Sequence, residues 1–149
     1  PLVLDADALN LLAEAPRAVP GAVLTPHPGE VARLLGCRTE EVQADRFAAL
    51  DALIQRFGAA VVLKGAGTLV GAPHETPRLI DAGHPGMASA GMGDALTGLV
   101  AALRAQGLSP FDAAWVGALA HSAAADAVGR GRGLLASDVI GAFGPVLNP

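Results

Sequence analysis

One cysteine, no tyrosine and a charged fraction of only 16% set the first limits on this 149-residue chain. Cys37 alone excludes an internal disulfide and cannot build a thiolate metal cluster. Its place near a helix end reads as that of a small packed residue. The net charge is −4 and aromatics make up 3% of the chain. With no cluster of lysine or arginine either, nucleic acid is not an expected partner. No apolar run reaches the length of a bilayer span, although the mean hydropathy is +0.45, so no membrane partner is expected. No signal peptide is visible, and a cytoplasmic location is expected. There is no HExxH-type ligand cluster, no internal repeat and no low-complexity segment.

What the chain has in abundance is small and aliphatic residues: 52% of it is hydrophobic. The length is that of one typical domain with a sizeable core. Alanine, valine and leucine in this proportion suit helices packed tightly on a buried parallel sheet. They also suit a chain that hides a face against another surface, and a homo-oligomer is expected.

Along the chain, short apolar runs at Leu2–Leu4, Ala22–Leu24 and Ala60–Leu63 read as buried strands. Residues 68–70 and 78–80 read as a hairpin around the 71–77 turn region. Between them lie helical patterns with recognisable ends. Asp7 reads as the cap of a short helix carrying Leu9, Leu11 and Leu12. Pro28 suits a first helical turn that Gly36 closes. Thr39 reads as the cap of a longer helix whose face is Phe47, Leu50, Leu53, Ile54 and Phe57, ended by Gly58. Ser109 and Asp112 open an alanine-rich helix running to about Val128, and Ser137 reads as the cap of a last helix through Phe143. Strands alternating with helices predict an α/β fold with a mostly parallel sheet flanked by helices.

The organising stretch is GHPGMASAGMGDALTGLVAALRAQG, Gly83 to Gly107. A glycine-rich first half feeds a helix whose apolar face is Leu96, Leu99, Val100 and Leu103. The free N–H groups and dipole at such a helix start favour an anion. Asp94, in the first turn, is either a helix cap or a general base beside a bound phosphate. In α/β sheets, ligands bind outside the carboxyl ends of the strands. Asp5, His27 and Lys64 each follow a predicted strand directly, and Asp94 follows the hairpin, so four polar residues converge on one sheet edge. Lys64-Gly65-Ala66-Gly67-Thr68 offers a cation, two flexible glycines and a hydroxyl for a phosphate. It reads equally as a tight turn, and it is not a Walker loop. His27, held between prolines, is a candidate substrate contact, and Glu30 is also placed to satisfy helix N-terminal donors. His84 is a loop residue that can touch a ligand, whereas Trp115 and Met87 read as packing.

Taken together, DADALNLLA, LTPHPGE, VVLKGAGT and the Gly83–Gly107 stretch resemble, in order and spacing, the ADP/ATP-dependent NAD(P)H-hydrate dehydratases. The resemblance implies a ribokinase-like fold. It also implies that residues 1–149 are the C-terminal part of a single domain, whose N-terminal part would be the partner this chain lacks. The implied enzyme is a lyase that converts hydrated NADH or NADPH back to NAD(P)H, with ADP or ATP as co-substrate and Mg²⁺ as cofactor. By resemblance, the segment from His27 through Pro28, Gly29 and Glu30 to Arg33 contacts the hydrated substrate. Lys64, Gly65, Ala66, Gly67 and Thr68 would hold the adenine nucleotide with Ser89, Ala90, Gly91, Met92 and Gly93. Asp94 would meet the substrate hydroxyl as the catalytic residue, and no protein side chain is implied as a metal ligand. The loop departs from the family pattern at His84, Ala90 and Met92, where Asn, Gly and Thr are usual. Two other readings stand beside this one: a small-molecule kinase of the same fold acting on a thiazole, pyrimidine or pyridoxal alcohol, and a non-catalytic nucleotide-binding half-domain.

Overall fold

The strands that organise the molecule are short because each is a buried aliphatic run cut off by a polar or glycine residue. The structure, a computed structural model, describes residues 1–148. Five strands, β1 (Leu2–Leu4), β2 (Ala22–Leu24), β3 (Ala60–Leu63), β4 (Thr68–Gly71) and β5 (Arg78–Ile80), form one sheet in sequence order. β1 pairs parallel with β2, and β2 with β3. β3–β4 and β4–β5 are antiparallel. Only β4 therefore runs against the other four strands, and the sheet is mixed, with a meander at one edge. The hairpin is where the sequence places it.

Alternation along the strands sorts their side chains onto two faces. Leu24, Val61, Leu63 and Leu69 join one core with Leu9, Leu34, Leu50, Leu53 and Phe57. These come from helices α1 (Asp7–Glu14), α2 (Pro28–Leu35) and α4 (Arg46–Phe57). Val23, Val62, Val70 and Ile80 face the other way, onto Leu96, Leu99, Val100, Leu103 and Phe111. Those belong to α5 (Met92–Ala105) and α6 (Pro110–Val128), and α7 (Ala136–Leu147) packs on α6. The result is a sheet between two helical layers.

Helix starts differ from the sequence reading in instructive ways. The long helix assigned from Thr39 is two helices, α3 (Thr39–Ala44) and α4, broken at Asp45 with φ −146° and ψ 88°. Asp45 prefers to cap: its carboxylate accepts from the Ala48 N–H at 2.9 Å, and a residue so engaged leaves the helix. The break turns Phe47 outward, 53% exposed, instead of onto the apolar face. Thr39 is itself helical, and the start is closed by the Arg38 N–H donating to Glu41 at 3.0 Å. In the same way the Leu135 N–H donates to Asp138, so Ser137 lies inside α7. Asp7 is also a first-turn residue rather than a cap. The residue before it, Ala6, takes a left-handed φ of 47°. Gly36, Gly58 and Gly129 close α2, α4 and α6 in left-handed conformations, as their sequence positions predict.

Candidate functional site

β1, β2, β3 and β5 point their carboxyl ends the same way, and a cavity of about 900 Å³ opens outside them. Its floor is an ionic cluster assembled from three strand ends. Lys64, after β3, donates to Asp5, after β1, at 2.9 Å. The Lys64 ammonium also lies 3.8 Å from Glu30. Thr97, on α5, donates to the second Asp5 oxygen at 2.8 Å. The hydroxyl of the fully buried Thr25, after β2, lies 3.3 Å from both the Thr97 hydroxyl and the Leu4 carbonyl, and its single proton goes to one of them. Burial works to raise the Asp5 pKa, but Lys64, Thr97 and the Ala6 N–H outweigh it and hold the carboxyl below its usual range. Asp5 is thus a fixed anion that fixes Lys64.

One wall is the HPGE corner. His27 caps α2: its Nδ1 accepts from the Gly29 and Glu30 N–H groups at 3.0 and 3.3 Å. Glu30, almost fully buried, completes the capping box by accepting from the His27 N–H at 2.7 Å. Nδ1 is therefore an acceptor occupied by structure, and Nε2 is the ring atom left for a ligand. The His27 side chain is 57% exposed, and its Nε2 lies 3.7 Å from the Glu30 carboxylate. The proline before this corner and the proline after it explain its rigidity.

The opposite wall is the Gly83–Gly91 loop and the start of α5. His84 repeats the histidine device, accepting from the Gly86 N–H at 3.1 Å while its Nε2 meets the Ala125 carbonyl at 3.2 Å. Asp126 accepts from the Gly83 N–H at 2.8 Å, and Ser89 donates to the Leu134 carbonyl at 3.2 Å. Gly86 lies so close to Gly131 that a Cβ there would stand 2.0 Å from the Gly131 carbonyl oxygen. The loop is thus anchored on α6 and on the segment before α7. Gly91, left-handed at φ 84°, then starts α5 with no side-chain cap. The Gly93 and Asp94 N–H groups find no acceptor among the described residues. Those donors and the helix dipole are available to an anion.

Asp94 lines the cavity with its carboxylate outside any hydrogen bond of the described residues, so it is not the cap of its helix. A Cβ on Gly93 would stand 3.4 Å from the Lys64 ammonium and 3.5 Å from Asp5. The first turn of α5 therefore rests directly over the ionic floor.

The residues that the sequence assigns to a site are mostly gathered here. His27, Pro28, Glu30, Lys64 to Thr68, Ser89, Gly91, Met92, Gly93 and Asp94 line the cavity. Gly29, Arg33 and Ala90 do not. Arg33 lies near the far end of α2 and bonds to Asn10 on α1. Met87, read from sequence as packing, is part of the lining, and so is His121. His121 is 6% exposed on α6, its Nε2 unpartnered. Burial pushes its pKa down to about 4; the Met92 backbone works against that shift and the Lys64 charge with it. The imidazole is neutral at physiological pH. Nothing local marks it: a lone histidine in an alanine-rich helix has no motif.

The fold is ribokinase-like: a ribokinase-like superfamily protein of Enterococcus faecalis aligns with a TM-score of 0.82 at 26% identity, over 99% of this chain and 54% of the other. The ADP/ATP-dependent NAD(P)H-hydrate dehydratase of Bacillus subtilis, co-crystallised with ATP and Mg²⁺, aligns with a TM-score of 0.87 at 29% identity. That alignment covers 99% of this chain and 55% of the other. The sequence pattern of the NAD(P)H-hydrate dehydratase family matches residues 1–142, and the chain belongs to that family. It is 51% identical to the bifunctional NAD(P)H-hydrate repair enzyme of Escherichia coli, over 100% of this chain and 30% of that protein. It is 45% identical to the ADP-dependent (S)-NAD(P)H-hydrate dehydratase of Neisseria meningitidis, over 97% of this chain and 51% of that protein. The chain thus spans 30% of the one relative's length and 51% of the other's.

Proposed function

We propose that the protein carrying this chain dehydrates hydrated NADH or NADPH in a reaction driven by ADP or ATP, and that residues 1–149 form the C-terminal part of its catalytic domain. The observation that carries the reading is Asp94: a carboxylate without a hydrogen-bond partner among the described residues, at the uncapped start of α5, next to Gly93, which rests on the Asp5–Lys64 pair. Family membership supplies the substrate class.

The chemistry follows from what the hydrate is. It carries a hydroxyl on a reduced nicotinamide ring, and hydroxide leaves poorly. Asp94 takes the hydroxyl proton as that oxygen attacks the terminal phosphorus of the nucleotide. The phosphorus–oxygen bond to the nucleotide breaks, and the shortened nucleotide leaves with the electron pair. The phosphate ester then departs, pushed by the ring nitrogen's lone pair. Loss of a proton from the neighbouring carbon restores the double bond of NAD(P)H. The Gly93 and Asp94 N–H groups would meet the charge that develops on the transferring phosphoryl group. Lys64 adds a cation held in place by Asp5. The His27 corner would orient the hydrate through Nε2, and the Lys64–Thr68 loop and Ser89–Gly93 would hold the nucleotide.

No three histidine, cysteine, aspartate or glutamate side chains cluster as a metal site among the described residues. The donor set therefore suits a Mg²⁺ ion carried by the nucleotide phosphates, where it neutralises charge on the transferred group. Incubating the full-length protein with NADH hydrate, ADP or ATP and Mg²⁺ tests the reading. NADH should appear only when nucleotide is present. No helix among the described residues is long and apolar enough to cross a membrane.

A further inference from the structure

Arg46, the first residue of α4, sits behind the Lys64–Thr68 loop and donates to three of its carbonyl groups and to that of Leu63, the last residue of β3. Nη2 reaches the Leu63 carbonyl at 3.1 Å and the Lys64 carbonyl at 3.3 Å. Nη1 reaches the Gly67 carbonyl at 2.9 Å and also bonds the Ala66 carbonyl. No other side chain of the structure gathers so many backbone oxygens. The remaining loop carbonyl, that of Gly65, is taken by the Thr68 hydroxyl at 3.0 Å.

The consequence is geometric. In a trans peptide the C=O and the following N–H point in opposite directions. When the Lys64 and Ala66 carbonyls turn toward Arg46, the Gly65 and Gly67 N–H groups turn away from it, toward the cavity that both residues line. Two such N–H groups, one residue apart in a single loop, offer an anion a nest-like pair of donors. Gly65 permits the arrangement: its φ is +142°, and a Cβ on it would stand 3.1 Å from Nη2. A planar guanidinium with five donors suits this task, and a lysine ammonium, a single point of charge, does not.

We propose that Arg46 is the positioning residue that presets the Lys64–Thr68 loop as a phosphate cradle for the adenine nucleotide. The inference rests on the nucleotide reading of that loop given above, and it deepens it. Arg46 touches no ligand itself. It acts by holding the loop's carbonyls back, so that the N–H groups need no reorganisation when the phosphates arrive.

The test uses the full-length protein with Arg46→Met, which keeps an unbranched stem without the fork, and with Arg46→Lys, which keeps the charge. Calorimetry with ADP gives Kd, steady-state kinetics give KM for the hydrate, and hydrogen exchange follows the loop amides. Arg46→Met should raise the ADP Kd at least about tenfold. It should move the hydrate KM less than about twofold and accelerate exchange in residues 63–68 of the ligand-free protein. Arg46→Lys should stay within about threefold of Arg46→Met in ADP affinity. An unchanged ADP Kd in folded Arg46→Met, or equal losses for ADP and hydrate, would overturn the proposal. So would wild-type affinity in Arg46→Lys, which also decides the matter if Arg46→Met does not fold. Wild-type protein that binds ADP but dehydrates nothing would contradict the proposed reaction alone, because the Kd comparison still reads the loop. Wild-type protein that does not bind ADP would overturn the loop proposal as well.

Discussion

At the residue scale the proposed reaction turns on Asp94, whose two roles, helix cap and general base, separate cleanly. As a helix cap it would be replaceable by asparagine, which caps about as well. The structure gives it no capping bond, so Asp94→Asn should leave stability within roughly 0.5 kcal/mol. Turnover should nevertheless fall by at least ~10²-fold, the scale of a lost general base. Nucleotide affinity should hold or improve slightly, since a negative charge near phosphates is removed. Near-wild-type turnover would make the carboxylate structural. His121 gives a second residue-scale prediction through pH. Its folded pKa of about 4 lies below the unfolded histidine value. Between about pH 6.5 and 4 the unfolded chain binds the extra proton, so folding stability falls as pH falls through that window. Its contribution is fully present above the window. His121→Gln should flatten the stability profile there by up to roughly 3 kcal/mol, read by denaturant titration at a series of pH values. An unchanged slope would mean that the imidazole is hydrated or already charged.

At the scale of elements, local signals wrote most of the fold into the sequence. Ser109 caps α6 and Gly129 closes it because both act on their immediate neighbours. Strand ends at Asp5, His27 and Lys64 are legible for the same reason. The helix break at Asp45 was locally encoded too, but the apolar spacing across it continues as if one helix ran through. Asp45→Ala should lower stability by about 1 kcal/mol, the usual worth of such a cap, in a denaturant titration. What the sequence hides is contact between distant positions. Lys64 and Asp5 are 59 residues apart, Thr97 and Asp5 are 92, and Arg46 lies 17 to 21 residues before the carbonyls it holds. No periodicity or spacing rule links them; only the closing of the sheet does. The Gly83–Gly91 loop makes the same point through Gly86, whose missing side chain lets the loop touch Gly131. Gly86→Ala must shift that loop, costing about 1–3 kcal/mol. The KM for nucleotide should rise more than the KM for hydrate. Equal kinetic constants with unchanged stability would show that the loop has room to move.

The whole molecule is a sheet with one unequal pair of edges. At the β5 edge the Arg78 guanidinium lies over the Phe111 and Trp115 rings at 5.3 and 4.9 Å, giving that side a packed border. At the other edge β1 pairs only with β2, and Leu2 is 50% exposed. An unpaired apolar edge invites association. Residues 1–149 produced alone should therefore aggregate or need a partner, and light scattering would show it. A monodisperse monomer that unfolds cooperatively would contradict this. One assay reaches the cavity at the strand ends directly. The full-length protein is mixed with NADH hydrate, Mg²⁺ and ADP or ATP, and NADH absorbance is followed over time. NADH should form with nucleotide and not without it, and Asp94→Asn should abolish most of the rate. Absence of NADH formation, together with phosphorylation of a thiazole or pyrimidine alcohol by the same preparation, would contradict the proposed function.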